Sequence, residues 1–302
     1  MKQRPFGSGD RVIVGCMRFA GKTPAEMGRF LRAAAEKGLR VFDHADIYGG
    51  GRSESVFGEA LAAESGLRRE DLILQSKCGI CRGYYDLSKE HILRSVEDSL
   101  RRLRADYLDL LLLHRPDTLV EPEEVAAAFD ELERSGKVRA FGVSNHRPSQ
   151  IELLKTCVRQ ELIVDQLQFS LPASGMIVSG LEVDMDTPGA ADRDGFALDY
   201  CRAKGITIQT WSPFQMPGWR GSFFGAPEYA ALNLALEEIA AARGETPLTI
   251  AAAWILRHPA KMQLISGTTN EARLAEICRA KDIALSREEW YRLYLAAGHE
   301  LP

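Results

Sequence analysis

The 302-residue sequence predicts an α/β protein in which residues 1–302 form a single-domain (β/α)8 barrel of the TIM type. Short β-branched segments alternate with longer amphipathic segments along the chain, and parallel strands require such crossover connections. Eight predicted strands end near residues 16, 43, 77, 114, 144, 166, 211 and 266. Eight strand–helix units fit a closed barrel better than an open sheet. The first strand–helix turn, GCMRFAGK, also lacks the G-x-G-x-x-G pattern of an open nucleotide-binding sheet.

Apolar runs and helix-start residues define the elements of the first half. The predicted strands are 11–16 (RVIVGC), 39–45 (LRVFDHA), 71–77 (DLILQSK) and 109–114 (DLLLLH). The predicted helices begin at Thr23-Pro24, at Ser53, at Ser88 and at Glu121-Pro122. N-cap hydroxyls and first-turn prolines are typical of such starts. The first helix ends before Gly38, and the second extends to about Ser65.

The second half continues this alternation. Its predicted strands are 138–145 (VRAFGVSN), 162–169 (LIVDQLQF), 205–211 (GITIQTW) and 263–267 (QLISG). Its predicted helices start at Pro148, run from about Phe196 to Ala203 and from about Pro227 to Arg243, cover 247–259, follow the last strand, and close the chain from Ser286. The longest interruption is loop 171–195 after the sixth strand. In a barrel we expect it at the rim, where active sites are built.

The composition argues against several classes of protein. The 38 basic and 42 acidic side chains are mixed along the chain, so no basic block is available for nucleic acid or a membrane surface. No segment approaches the ~18 apolar residues of a membrane helix, and the N-terminus lacks the apolar region of a secretory signal. Six cysteines are too few for a disulfide scaffold of this size. The sequence therefore predicts a cytoplasmic enzyme and leaves its oligomeric state open.

Four polar side chains lie where successive strands end. Asp43 and Tyr48 follow the second strand, Lys77 ends the third and His114 ends the fourth. Because carboxyl ends of barrel strands meet at one mouth, we expect them to converge. An ammonium draws a tyrosine pKa down from about 10, a carboxylate keeps that lysine charged, and a neutral histidine can orient a carbonyl oxygen. Each residue alone could be a satisfied neighbour of the core, but together they suit proton donation during hydride addition to a carbonyl.

Several blocks of sequence resemble the signature segments of the aldo-keto reductases, in order and in position. They are FDHADIYGG, LQSKCGI, DYLDLLLLHRPD, GKVRAFGVSN and TWSP. The resemblance covers nearly the whole chain and is strongest to a bacterial group of these oxidoreductases. It implies reversible, NADPH-dependent reduction of a small aldehyde or ketone. Asp43, Tyr48, Lys77 and His114 match the family's catalytic tetrad, with Tyr48 as general acid.

The resemblance also implies a cofactor site. Ser144, Asn145 and Gln166 match the residues that hold the nicotinamide carboxamide, and Trp211 matches the aromatic side chain that stacks on the nicotinamide ring. Stacking of this kind fixes which face of the ring is presented.

The other end of the implied site lies on the loop after the seventh strand and on the segment GTTNEARLAEI. Ser212 and Phe214 match the pyrophosphate loop, Thr268 and Arg273 the 2′-phosphate contacts, and Glu276 the adenine contact. Gly267 stands where some members of the family have a lysine that contacts the 2′-phosphate, and Ile277 stands where many have an asparagine that contacts adenine. The guanidinium of Arg273 still favours NADPH, with NADH as a weaker second cofactor.

Cys78 and Cys81 form a C-x2-C pair directly after Lys77. A structural zinc needs a second ligand pair, and the sequence has no matching C-x2-C or H-x3-H elsewhere. A redox pair needs a helix N-terminus, whereas this pair follows a strand. The sequence therefore predicts no metal site, and it leaves open whether the two thiols have a redox role.

Two alternative functions remain. One is an NADPH-binding, redox-sensing regulatory subunit with slow reductase chemistry, because channel β-subunits resemble the same family. The other is a sugar-phosphate isomerase or aldolase barrel, which would leave the matches at Ser144, Asn145 and Trp211 without a purpose. The substrate is not readable from the sequence. Aromatic side chains of the rim loops are candidates for its pocket: Tyr84, Tyr85, Trp219, Phe223 and Phe224.

Overall fold

The computed structural model describes residues 4–63 and 66–301, and its eight strands close into a parallel barrel. The strands are β1 (Val12–Gly15), β2 (Val41–Asp43), β3 (Ile73–Cys78), β4 (Leu110–Leu113), β5 (Phe141–Ser144), β6 (Leu162–Gln168), β7 (Thr207–Trp211) and β8 (Gln263–Ser266). Each strand pairs with its sequence neighbours, and β8 closes the barrel by pairing in parallel with β1. The predicted (β/α)8 barrel is confirmed. The strands are shorter than predicted, although the amides of His44 and His114, just beyond β2 and β4, still donate to carbonyls of β3.

Helices alternate with the strands on the outside of the barrel. They are α1 (Pro24–Glu36), α2 (Arg52–Ala63), α3 (Lys89–Leu103), α4 (Pro122–Arg134), α5 (Pro148–Lys155), α6 (Gly175–Leu181), α7 (Ala197–Lys204), α8 (Ala230–Arg243), α9 (Pro247–Leu256), α10 (Glu271–Arg279) and α11 (Arg287–Ala296). The predicted caps at Thr23 and Ser88 accept hydrogen bonds from the amides of Glu26 and His91, at 3.2 and 3.3 Å. The predicted end of the second helix at Ser65 lies outside the described residues. Within the described ranges, no helix is long and apolar enough to cross a membrane.

The inner face of the barrel changes from apolar to polar toward the carboxyl ends of the strands. Side chains two residues apart share a face of a strand, so Val41 precedes Asp43, and Ile73 precedes Gln75 and Lys77. Val41 and Ile73 belong to one apolar cluster, whereas the polar members of the same rows are also buried. The alternation along these strands therefore places polar and ionisable side chains at the carboxyl end of the barrel.

Residues 171–195 differ from the predicted loop. Helix α6 lies within this segment, and Met176, Ile177 and Val178 are buried in the same core cluster as Leu198 of α7. The segment GMIVSGL has glycines near both ends and only seven residues, so its helical pattern is too short to be visible in the sequence. The predicted helix from Pro227 also begins differently, with a 3-10 turn at Pro227–Tyr229 before α8.

Candidate active site

A cleft of about 1070 Å³ lies at the carboxyl ends of the strands. All the predicted site residues except Lys77 line it: Asp43, Tyr48, His114, Ser144, Asn145, Gln166, Trp211, Ser212, Phe214, Thr268, Arg273 and Glu276. Lys77 lies behind the cleft wall and is only 1% exposed. These residues come from the ends of six different strands and the segments that follow them, and they meet in one cavity, as strand-end positions of a closed barrel must.

Lys77 is the centre of the buried polar cluster. Its Nζ lies 2.7 Å from Asp43 Oδ1, and it donates to the Tyr48 hydroxyl at 3.0 Å and to the His44 carbonyl at 2.7 Å. A lysine ammonium has three protons, so these acceptors use all of them. The Tyr48 oxygen accepts from Lys77, which leaves the tyrosine's own proton free to be donated elsewhere.

A set of buried glutamines forms hydrogen bonds to the Asp43 carboxylate and to one another. Gln75 Nε2 and Gln166 Nε2 donate to Asp43 Oδ1 at 2.6 and 3.0 Å. Gln209 exchanges hydrogen bonds with the Gln75 amide at 2.8 and 3.0 Å and donates to Gln263 Oε1 at 3.0 Å. Sequence reasoning did not single out Gln75 or Gln209. Both side chains point into the barrel in the alternation along their strands, and this pattern could have identified them in the sequence.

Burial and charge set the protonation of the predicted catalytic groups. Burial disfavours the charged form of Lys77, but the charge of Asp43 and the contact with Tyr48 outweigh it, so the Lys77 pKa lies above its ordinary value. Burial also raises the pKa of Tyr48, and Lys77 offsets this only in part. The expected lowering of the Tyr48 pKa is therefore not the net result. Burial and the charge of Lys77 hold the pKa of His114 well below its usual range, so this imidazole is neutral at pH 7.

Four predicted nicotinamide contacts form a connected group beside the predicted catalytic residues. Asn145 Nδ2 donates to Ser144 Oγ at 2.8 Å, and Trp211 Nε1 donates to Asn145 Oδ1 at 3.0 Å. Asn145 has φ of 61°, a left-handed conformation uncommon for a non-glycine residue. Gln166 is engaged with Asp43, and one ring face of Trp211 stacks on Trp219 at a centroid distance of 5.2 Å and an angle of 16°.

The predicted adenosine-phosphate contacts follow β7 and β8 and line the same cleft. Ser212 also has a positive φ, of 52°, and its hydroxyl donates to Gln215 Oε1 at 3.1 Å. Glu276 accepts from Thr246 Oγ1 at 2.7 Å. The Arg273 side chain is exposed and has no carboxylate partner among the described residues, so its charge faces the cleft uncompensated.

Sequence reasoning missed two further arginines of the cleft. Arg18, from the turn after β1, donates to the Gly267 carbonyl at 3.2 Å, and the guanidinium of Arg115 lies 5.9 Å from the Trp211 ring centroid. Neither has a carboxylate partner within the described part of the chain. Arg18 is distant from Gly267 in sequence, so only the closed barrel could bring them together. Arg115 directly follows His114 and could have been noticed there.

The rim segments contribute unequally to the cleft. Trp219 and Phe224 line it, whereas Phe223 is fully buried in the core. Tyr84 and Tyr85 are exposed and are not part of the lining. No residue of segment 171–195, all of which is described, lines the cleft. Met176, Ile177 and Val178 of this segment pack into the core instead.

Known proteins resemble this chain over nearly its whole length. The model of the aldo/keto reductase family matches residues 11–295. A 6-dehydroglucose reductase from Agrobacterium fabrum is 35% identical, over 96% of this chain and 95% of that protein. A 6-dehydroglucose reductase from Novosphingobium aromaticivorans is 36% identical, over 96% and 93%. The crystal structure of an aldo-keto reductase from Klebsiella pneumoniae in complex with NADPH is 27% identical, with a TM-score of 0.75 over 94% of this chain and 89% of that chain.

Proposed function

The chain belongs to the aldo/keto reductase family, and we propose that it reduces an aldehyde or ketone to the alcohol, reversibly, with NADPH and with Tyr48 as the proton donor. The observation that carries this proposal is the position of the Lys77 ammonium, between the Asp43 carboxylate and the Tyr48 hydroxyl at the cleft wall. A tyrosine that accepts a hydrogen bond from lysine has its own proton available for a substrate oxygen.

The cleft fits a nicotinamide dinucleotide phosphate. Amide and hydroxyl groups of Ser144, Asn145 and Gln166 lie at the catalytic end, beside the flat indole of Trp211. Arg18 and Arg273 line the same cavity without carboxylate partners among the described residues, as a site for phosphate groups requires. When bound, this cofactor supplies a hydride to the carbonyl carbon.

The residues of this chain supply the proton. Tyr48 donates it to the carbonyl oxygen, and the Lys77 ammonium, 3.0 Å from the phenol oxygen, stabilises the phenolate that remains. Asp43 keeps Lys77 protonated against the cost of burial. His114 is neutral, and its Nδ1 is buried with no hydrogen-bond partner in the described part of the chain. The ring proton is therefore better placed on Nε2, from which it can orient the substrate oxygen.

Selectivity for NADPH over NADH rests on the guanidinium groups. The family's lysine is replaced by Gly267, but Arg18 brings a positive charge to the carbonyl of that same residue. We propose that Arg18 and Arg273 together replace the missing charge, so the preference for NADPH is larger than the sequence alone predicts.

A hydroxylated aldehyde is the first substrate class to test, because two relatives are named 6-dehydroglucose reductase. The catalytic end of the cleft offers matching chemistry. The indole of Trp219 supplies flat apolar surface, and Arg115 supplies hydrogen-bond donors next to His114.

The test is to mix purified protein with NADPH or NADH and a panel of carbonyl compounds, and to follow the absorbance of the reduced nicotinamide. The panel pairs a sugar-derived aldehyde with an activated aromatic aldehyde. We expect turnover that prefers NADPH and the hydroxylated substrate. Tight NADPH binding with no turnover of any carbonyl would instead support the regulatory alternative, and absence of both binding and turnover would contradict the proposal.

A further inference from the structure

A second cluster of polar side chains lies in the connection between β3 and α3. The connection folds as a hairpin in which the amide of Asp86 donates to the Gly79 carbonyl at 3.0 Å, so Cys81 and Asp86 lie on the same side. Ser88 then caps α3 and places His91 in its first turn, facing the hairpin. The local fold thus joins a thiol, a carboxylate and an imidazole that the sequence spreads over eleven residues, 81–91.

The three side chains have the spacing of a metal site. Cys81 Sγ lies 3.9 Å from His91 Nε2 and 4.0 Å from His91 Nδ1, and Asp86 Oδ2 lies 3.7 Å from His91 Nδ1. One ligand atom from each residue lies within 4.8 Å of both others. Tetrahedral zinc with ordinary bond lengths separates its ligand atoms by about 3.4–3.6 Å. The separations here, of up to 4.8 Å, would have to shorten to that spacing, with the Cys81 and His91 side chains rotating so that one ring nitrogen faces the ion.

We propose that Cys81, Asp86 and His91 bind a thiophilic divalent ion such as Zn²⁺, with water as the fourth ligand. Sulfur, nitrogen and carboxylate oxygen together are the ligand set that zinc prefers over magnesium or calcium. The sequence argued against zinc because it has no second C-x2-C or H-x3-H pair. The fold supplies two ligands of other types from the residues that follow Cys81. This proposal does not depend on the proposed reductase function.

The contacts of His91 show what the ion would replace and what it would keep. Arg94 Nη2 lies 3.2 Å from His91 Nδ1, where it competes with a cation. Its side chain is 59% exposed and also lies 3.5 Å from Glu90, so it can turn to that carboxylate when an ion binds. Ser95 Oγ lies 3.2 Å from His91 Nε2 and would orient the ring from the other side, as outer-shell partners of metal-bound histidines do.

The site adjoins the cleft wall. Ile80, between Gly79 and Cys81, lines the cleft, and the same segment begins directly after Lys77 and Cys78. A bound ion would therefore fix the hairpin that carries one wall of the active site. Cys78 itself is 1% exposed and does not belong to the cluster.

The test uses Co²⁺ as a spectroscopic substitute for Zn²⁺ on the full-length protein after chelator treatment. We expect a thiolate-to-cobalt charge-transfer band in the near ultraviolet that saturates at one ion per chain, and Zn²⁺ should displace it. Titration calorimetry with Zn²⁺ should give the same stoichiometry. A protein that shows neither the band nor the heat of binding would overturn the proposal.

Four variants distinguish this site from adventitious binding, with far-ultraviolet circular dichroism as the folding control. Cys81→Ser should abolish the band and weaken Zn²⁺ binding by more than the 10–100-fold that loss of an outer partner costs. Ser95→Ala should weaken it by about 10–100-fold. Arg94→Ala should tighten it, because a competing donor and a positive charge are removed. Cys278→Ser, at another half-buried thiol, should change nothing. Binding that survives Cys81→Ser, or that is insensitive to Arg94→Ala, would contradict the assignment.

Discussion

Replacing Lys77 with methionine tests the Asp43–Lys77 pair and the catalytic proposal together. Both side chains are almost fully inaccessible, and the ion pair is 2.7 Å long. Methionine retains most of the volume of the lysine stem. Among the described residues it leaves the Asp43 carboxylate with only the Gln75 and Gln166 amides as partners. Breaking a buried ion pair from one side costs about 3–5 kcal/mol, because the other charge remains buried without compensation. We expect Lys77→Met to lower the free energy of unfolding by that amount.

The double variant Asp43→Asn/Lys77→Met separates stability from catalysis. It removes both charges, and a neutral replacement of a buried pair is often close to neutral in stability. We therefore expect it to recover most of the loss in the single variant. Activity should not recover, because Tyr48 lacks its ammonium partner in both proteins. General acid catalysis contributes about 10²–10⁴-fold, so carbonyl reduction should fall by that factor in both variants.

Urea denaturation gives the stability of each variant, and the NADPH oxidation assay gives its activity. Lys155→Met, at an exposed helix position, is the matched control and should change stability by no more than about 0.5 kcal/mol. A Lys77→Met protein that reduces carbonyl compounds at the wild-type rate would refute the role of the ammonium. If the loss of unfolding free energy in the double variant equals the sum of the losses in Asp43→Asn and Lys77→Met, the coupling between the two charges is refuted.

Four further predictions follow from the same structure. Tyr48→Phe should lower turnover by at least about 10²-fold and leave NADPH binding unchanged, as measured by quenching of tryptophan fluorescence. Loss of both turnover and binding would mean that Tyr48 serves binding instead. In the wild type, burial raises the pKa of Tyr48, so reduction should stay constant through neutral pH and decline only above pH of about 10, and a decline near neutrality would contradict this protonation state. Arg273→Ala should weaken NADPH binding by about 10–100-fold, as loss of a charge-assisted hydrogen bond does, and leave NADH binding unchanged; equal losses for both cofactors would place Arg273 away from the 2′-phosphate. Burial raises the pKa of Asp165 from 3.8 to about 8, so the free energy of unfolding falls as the pH rises from about 4 to about 8. Asp165→Asn should therefore have the wild-type Tm near pH 4 and a higher Tm than the wild type at pH 9. A Tm equal to that of the wild type at both pH values would contradict the shift.

Local sequence patterns were sufficient to predict the barrel and most of its elements. Strand alternation is a property of neighbouring residues, so the rows Val41–Asp43 and Ile73–Gln75–Lys77 could be assigned to one face each without knowing the fold. The exception is α6, whose seven residues show too little of a helical period to be distinguished from a loop. That the chain is one domain and that it is cytoplasmic stay predictions.

The sequence by itself determined which residues end each strand, and therefore which side chains face the cleft at the carboxyl ends of the barrel. Only the tertiary structure decided how these side chains interact, because distance and burial arise when the barrel closes. Burial made the net pKa of Tyr48 rise although Lys77 is its neighbour. Closure brought Arg18 to Gly267, and the hairpin after β3 brought Cys81, Asp86 and His91 together. Contacts between residues far apart along the chain, or oriented by a turn, leave no periodic signal in the sequence from which they could be predicted.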